Sequence, residues 1–296
     1  MIICLRMIYI ICGPTGSGKT EVAKQLSDFL NAPIINADAF QIYEDMNIGT
    51  AKISKKDPYY KKHYLLDIKK PSESFSVMEY QKLFRETVKE LSKIFDNIVV
   101  CGGTGLYIRA SIYDYEFQEE DGEYNDYEGI SNEELYSRLQ KLDYEASLKI
   151  HPNNRKRVVR ALNIANNQKE TKSESIAKQK HEVIYDDVRV LMLNPNRDQL
   201  YENINVRVDK MFELGLVEEV KELLNKYQLS NTAKAAIGYK EVIDYLDNRM
   251  PLKKCKELIK KRTRNYAKRQ VTFFKNQFEL EMFDSKEELL KAVRGK

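Results

Sequence analysis

The chain is poor in the residues that build metal centres and disulfide frameworks. It holds four cysteines (Cys4, Cys12, Cys101, Cys255) and three histidines in 296 residues. The cysteines are scattered with no C-x-x-C pair. That argues against a structural zinc site and a disulfide scaffold, and fits a reducing cytoplasm. His151 has no other His or Cys near it, so its spacing is not that of a metal ligand. No apolar run approaches the roughly 20 residues a membrane-spanning helix needs, so no membrane role is expected. Residues 1–12 are apolar but lack the small-residue cleavage site of a signal peptide; they run into a glycine loop and are read as a first strand. There are no internal repeats of the kind that build solenoids.

What is present is an ordinary globular composition, 42% hydrophobic and 32% charged, so a true core is expected. The length suits one large domain or a domain with an insertion. Net charge is only +4 but unevenly spread. Residues 114–145 carry twelve acids against two bases, and residues 251–275 ten bases against one acid. A local basic stripe on a nearly neutral chain fits a polyanion partner on one face, and equally a solvated helix face.

The apolar spacing predicts a strand at 7–12, a helix at 20–30 and a strand at 33–37. Ser76 and Glu79 form a capping box that opens a helix with Val77, Tyr80, Phe84, Val88, Leu91 and Phe95 on one face. Residues 97–101 read as a third strand. Strands alternating with helices predict an α/β fold with a parallel sheet. The pattern changes after Phe117: 119–130 reads as a polar linker, a helix follows from Ser131 towards Ile150, a second helix covers 153–166, and 166–181 reads as a loop. A small all-helical insertion is therefore expected at 119–183, within a core made of 1–118 and 184–296. Residues 188–193 read as a strand returning to the sheet, with helices at 198–214, 217–227 and 252–276.

Gly13-Pro14-Thr15-Gly16-Ser17-Gly18-Lys19-Thr20 is a complete G-x-x-x-x-G-K-[ST] loop between a strand and a helix, the context that confirms the motif. Its backbone amides converge on phosphate oxygens, and the helix N-terminus adds partial positive charge. Lys19 meets the distal phosphate and Thr20 ligates Mg²⁺. The third strand ends Val99-Val100-Cys101-Gly102-Gly103, without the acid that an ATPase or GTPase carries there. Phosphate binding is thus predicted, and a motor or switch NTPase is disfavoured.

Ligands of open α/β sheets bind beyond the carboxyl ends of the strands. The loop, Asp38 and residues 102–105 should therefore meet in one cleft, with Asp38 placed to accept a proton from an acceptor substrate or to cap the next segment. Arg207 lies on the apolar side of its helix, at the edge of the core or aimed into the site. There it would stabilise a departing diphosphate. Residues 151–160, with Arg155, Lys156, Arg157 and Arg160, and residues 264–270, with Lys268 and Arg269, mix bases with polar and aromatic residues. That mixture suits RNA backbone contact and base stacking.

These blocks together resemble the tRNA dimethylallyltransferase (tRNA isopentenyltransferase) family, bacterial type. They are 13–20; Asp38-Ala39-Phe40-Gln41-Ile42-Tyr43 with Ile48-Gly49-Thr50-Ala51-Lys52; Gly102-Gly103-Thr104-Gly105-Leu106-Tyr107; 151–162; 264–273; and Ile237-Gly238-Tyr239-Lys240-Glu241. The resemblance implies a P-loop kinase-like core whose helical insertion clamps the anticodon stem-loop. It implies transfer of a dimethylallyl group from dimethylallyl diphosphate to the exocyclic amine of the adenosine 3′ of the anticodon. Asp38 would be the general base; Lys19, Thr20, Thr104 and Arg207 would hold the diphosphate and its Mg²⁺. The segment of Asp38, Ala39, Phe40 and Gln41 would face the target nucleotide, and Arg155, Lys156, Arg157, Arg160, Lys268 and Arg269 the tRNA. A cytoplasmic monomer is expected. Ala39 departs from the family's usual Ser, Phe273 stands where Trp is common, and 114–130 matches poorly. The paired-cysteine zinc extension of eukaryotic relatives is not present in the sequence. Three other readings stay open from the residues: a P-loop kinase of a small metabolite, an RNA-binding protein with a degenerate nucleotide site, and a prenyltransferase acting on free adenine nucleotides.

Overall fold

In the computed structural model, which describes residues 7–117, 124–167 and 181–295, six strands pair in parallel throughout. They are β1 (Met7–Cys12), β2 (Ile34–Asn36), β3 (His63–Tyr64), β4 (Asn97–Cys101), β5 (Val188–Leu193) and β6 (Glu281–Phe283), in the order β3-β2-β4-β1-β5-β6. Ile8, Ile10, Ile11 and Cys12 of β1 are all fully buried, on both faces of the strand. A strand covered on both faces reads as a continuous apolar run, and parallel neighbours need helical crossovers. The first crossover is α1 (Lys19–Phe29), which buries Val22, Ala23 and Leu26. The next is α2 (Val77–Leu91), where the Ser76 hydroxyl accepts from the Glu79 amide and the Glu79 carboxylate from the Ser76 amide. It buries Tyr80, Phe84, Val88 and Leu91 and ends four residues short of the expected Phe95.

The chain divides into two compact units, Met1–Ile112 with Tyr185–Lys296, and Tyr113–Ile184. In the first, α3 (Gly105–Ile112) follows β4, an element the glycine-rich sequence masked as a turn. In the second, α4 (Asn132–Leu142), α5 (Tyr144–Lys149) and α6 (Arg155–Asn167) bury Leu135, Leu139, Val158 and Leu162 among themselves. The single helix expected to reach Ile150 is split, because Asp143 leaves helical geometry and its carboxylate caps the next helix at the Ala146 amide, 2.9 Å away. The described part of the expected linker, 124–130, is mostly exposed but anchored, because Tyr127 is buried in the core of this unit. Residues 118–123, and most of the expected loop at 166–181, lie outside the described residues.

Beyond β5, the first unit continues with α7 (Arg197–Glu213), α8 (Leu216–Lys226), α9 (Asn231–Lys234), α10 (Tyr239–Leu246) and α11 (Leu252–Gln277). It then adds β6 and α12 (Lys286–Arg294), which the periodicity did not predict. Leu289, Leu290 and Val293 of α12 complete the cluster around Val22, Leu26 and Leu191. No helix of the described residues is long and apolar enough to cross a membrane.

Candidate active site

The glycine loop joins β1 to α1 at the carboxyl edge of the sheet. Gly13 has φ +143°, and a Cβ there would stand 2.3 Å from the carbonyl oxygen of Leu193 at the end of β5, so only glycine lets the loop leave the strand. Asn203 of α7 donates to the Gly16 carbonyl at 3.1 Å. Among the described residues the buried Ser17 hydroxyl has no hydrogen-bond partner, an omission worth about 1–3 kcal/mol that an arriving phosphate oxygen would remedy. The Lys19 ammonium donates to the Pro14 carbonyl at a long 3.4 Å. Burial lowers the Lys19 pKa, against the counter-pull of negative groups that include Asp38. Its charge therefore sits ready for an anion and is poorly satisfied without one.

Asp38 stands two residues beyond β2. One carboxylate oxygen accepts from the Phe40 amide at 3.0 Å, which sets the turn; the other has no hydrogen-bond partner among the described residues. Capping of the turn thus engages one of the two carboxylate oxygens. The Ala39 amide donates to the Thr104 hydroxyl at 3.0 Å, tying the turn after β2 to the turn after β4. Arg207 lies one helical turn beyond Asn203 and donates to the Thr50 carbonyl at 3.3 Å. Burial depresses its pKa, and the negative charge of Asp38 opposes that shift. Gln41 donates to the same Thr50 carbonyl at 3.2 Å.

Two cavities share Thr15, Asp38, Thr50 and Arg207. The smaller, about 50 Å³, is polar and adds Lys19, Thr20, Asn36 and Gln41. The larger, about 250 Å³, is walled by Val208, Met211, Ile237 and Ile259, with Phe40 and Arg269. A phosphate-sized polar end therefore opens on an apolar chamber, with a carboxylate and a guanidinium where they meet. Cys101 also lines the small cavity; burial pushes its thiol up to about 11, so it stays protonated and unreactive near neutral pH.

Two residues here escaped the sequence reading. Gln270, placed there in an RNA-facing block, is buried beneath the glycine loop: its oxygen accepts from the Thr15 amide and its amide donates to the Gly103 carbonyl, both at 2.9 Å. Tyr266, in hydrogen-bond reach of Thr104 and Gln270, is pushed up to about 12 by burial and by Asp38, so it remains a neutral phenol. Only its position one turn before Gln270 could have linked it to the loop. Gln270→Ala would strand the Thr15 amide and the Gly103 carbonyl. We expect a stability loss of about 1–3 kcal/mol in denaturant unfolding, and Gln270→Glu should not rescue it, because a buried carboxylate oxygen would then face the Gly103 carbonyl.

The basic residues divide. Arg155 is half-buried, and its guanidinium donates to the carbonyls of Ile130 and Tyr127, both at 2.6 Å, and to Asn132; it clamps its own unit. Lys156, Arg157 and Arg160 are exposed. On α11, Lys260 pairs with Asp209 at 2.8 Å and Arg262 with Glu241, so part of the stripe is neutralised. Lys268 and Arg264 instead lie 6.0 and 5.9 Å from the ring of Tyr201, with Arg197 at 5.2 Å. No carboxylate pairs with these three cations among the described residues.

The profile of the IPP transferase family matches residues 41–277. The chain belongs to that family. The match begins just after Asp38, so the phosphate loop lies ahead of the segment that the profile covers. Among curated relatives of this family member, the tRNA dimethylallyltransferase of Anoxybacillus flavithermus is 43% identical over 282 residues, spanning 94% of this chain and 90% of that protein. That of Bacillus anthracis is 38% identical, over 98% and 96%. Among solved structures, the tRNA isopentenylpyrophosphate transferase of Bacillus halodurans superposes with a TM-score of 0.72 at 33% identity, over 98% of this chain and 96% of that one. A eukaryotic dimethylallyltransferase acting on tRNA superposes at 0.82 with 25% identity, over 98% and 77%.

Proposed function

We propose that this chain transfers the dimethylallyl group of dimethylallyl diphosphate to the exocyclic amine of the adenosine 3′ of the anticodon in tRNA. The observation that carries this reading is the junction of a polar phosphate pocket with an apolar chamber at Asp38 and Arg207. A diphosphate fits the loop amides, the Ser17 hydroxyl and Lys19, and the five-carbon chain and the flat base fit the apolar side. The amine nitrogen attacks the first carbon of the allyl group as the C–O bond breaks. The bonding pair leaves with the diphosphate, whose growing charge meets Lys19 and Arg207. The free oxygen of Asp38 takes the amine proton.

The Thr20 hydroxyl in the small cavity is an oxygen donor that suits a hard cation keeping several waters, and no group of three or more His, Cys, Asp or Glu among the described residues could hold a metal ion by itself. Mg²⁺ would therefore sit on Thr20 and the diphosphate oxygens. When bound it would supply further positive charge to the leaving group. Residues 119–183 form the tRNA-facing insertion in this reading, with Lys156, Arg157 and Arg160 facing its phosphates. A tRNA substrate places the enzyme in the cytoplasm.

The direct test incubates the protein with labelled dimethylallyl diphosphate and unmodified tRNA. Label in the RNA supports the reading; no label there, with phosphate transfer from ATP to a small metabolite, replaces it with a kinase. Replacing Lys156, Arg157 and Arg160 together by Ala should flatten the salt dependence of tRNA binding by about one unit for each phosphate that is no longer neutralised. An unchanged slope would make those residues a solvated helix face.

A further inference from the structure

Residues 47–52 form one wall of the cleft without being helix or strand. Gly49 and Thr50 line the larger cavity, and Thr50 and Ala51 the smaller. The loop is held from its far side, where Asn47 and Ile48 border a separate hollow of about 520 Å³ with Glu219. There the Glu219 carboxylate of α8 accepts from three consecutive amides: Asn47 at 3.0 Å, Ile48 at 2.7 Å and Gly49 at 3.2 Å. It also accepts from the hydroxyl of Tyr239 at 2.6 Å. Successive amides that converge in this way form a site for an anion, and here the protein supplies the anion itself. Tyr239 is fully buried, and its hydroxyl is hydrogen-bonded to the backbone at Gly49 and Thr50. Its ring presses on the loop so closely that a Cβ on Gly49 would fall 2.4 Å from a ring carbon. The loop also presents to the cleft the Thr50 carbonyl oxygen, which accepts from both Arg207 and Gln41.

We propose that Glu219 and Tyr239 are positioning residues for Arg207: from behind the loop they fix the Thr50 carbonyl, and through it the guanidinium that meets the diphosphate. Neither lines the larger or the smaller cavity of the cleft, so neither acts by touching the substrate. The proposal rests on the diphosphate reading of the site. A guanidinium relieved of one acceptor samples other directions, and misplacement of this kind costs up to about 100-fold in rate even when the altered residue is remote.

The test uses inorganic diphosphate as a probe, with dimethylallyl transfer as a second readout. Glu219→Gln keeps the size but sets an amide against the loop N–H groups, and Tyr239→Phe removes only a hydroxyl. Each should weaken diphosphate binding by calorimetry about tenfold and lower turnover at saturating donor by up to about 100-fold, with tRNA affinity unchanged. In an Arg207→Ala background the same substitutions should cost less than about twofold, because they act through the side chain already removed. Losses that add in full to Arg207→Ala, or unchanged diphosphate affinity, would overturn the proposal. Should Glu219→Gln fail to fold, Tyr239→Phe and Glu219→Asp carry the same comparison. A wild-type protein that binds diphosphate yet prenylates no tRNA would refute the function proposed above and leave the diphosphate arm of this test standing.

Discussion

Asp38→Asn should slow dimethylallyl transfer about 10²- to 10⁴-fold in single turnover, the range that general base catalysis contributes. An aromatic amine is a poor nucleophile because its lone pair is delocalised into the ring, so the proton must be withdrawn as the C–N bond forms. The Asp38 carboxylate can do this because only one of its oxygens is engaged, by the Phe40 amide. Asparagine can keep that turn with its own oxygen, so the fold around the site should survive. What it cannot do is take the proton at the other position. Donor and tRNA affinities should stay near wild type, because the loss falls on the transition state. Asp38→Ala should be as slow or slower, since it also gives up the hydrogen bond that sets the turn. A near-normal single-turnover rate in Asp38→Asn would move the base elsewhere in the cleft.

The second large effect is expected at Lys19. Lys19→Ala should reduce donor use about 10²- to 10³-fold or more, the scale seen when one fixed charge-stabilising donor is removed, while tRNA still binds. The loop amides and the Ser17 hydroxyl remain, but none carries a full charge. The buried amine also predicts a pH signature. Burial lowers the Lys19 pKa in the free protein, so as pH rises it loses its proton earlier than an ordinary lysine. A bound diphosphate favours the charged form and raises the pKa again. Between the two values, binding must take up a proton, and affinity must fall with rising pH. Calorimetry of diphosphate binding in two buffers of different ionisation heat should show that uptake on the alkaline side, and Lys19→Ala should abolish it. Binding without proton uptake at any alkaline pH would mean that Lys19 does not face the phosphates.

Where sequence reasoning worked, the information was local. The 13–20 loop, the Ser76 capping box and the apolar runs of β1, β4 and β5 each specify backbone geometry over a few residues. Spacing therefore predicted them, and with them an α/β class. The carboxyl-edge rule brings Asp38 and the loop together from the sequence alone. The family resemblance added a donor and an acceptor, neither of which the loop itself can name. β6 and the two-residue β3 were invisible, because neither is a buried apolar run like the equally short β2, and both exist only through their neighbours.

The tertiary structure alone decided how the site is held. Gln270 lies 255 residues from the Thr15 amide that it receives, and Glu219 about 170 from the amides that it gathers. Both are single polar side chains on amphipathic helices, where sequence offers no means of telling a buried acceptor from a solvated one. Arg155 shows the same limit in reverse: within a basic run it reads as an RNA contact, and its guanidinium is committed to the backbone of its own unit. Chemistry carried by contiguous residues was legible in this chain. The supports that aim it come from side chains brought together only by packing of the helices after β5 against the sheet edge.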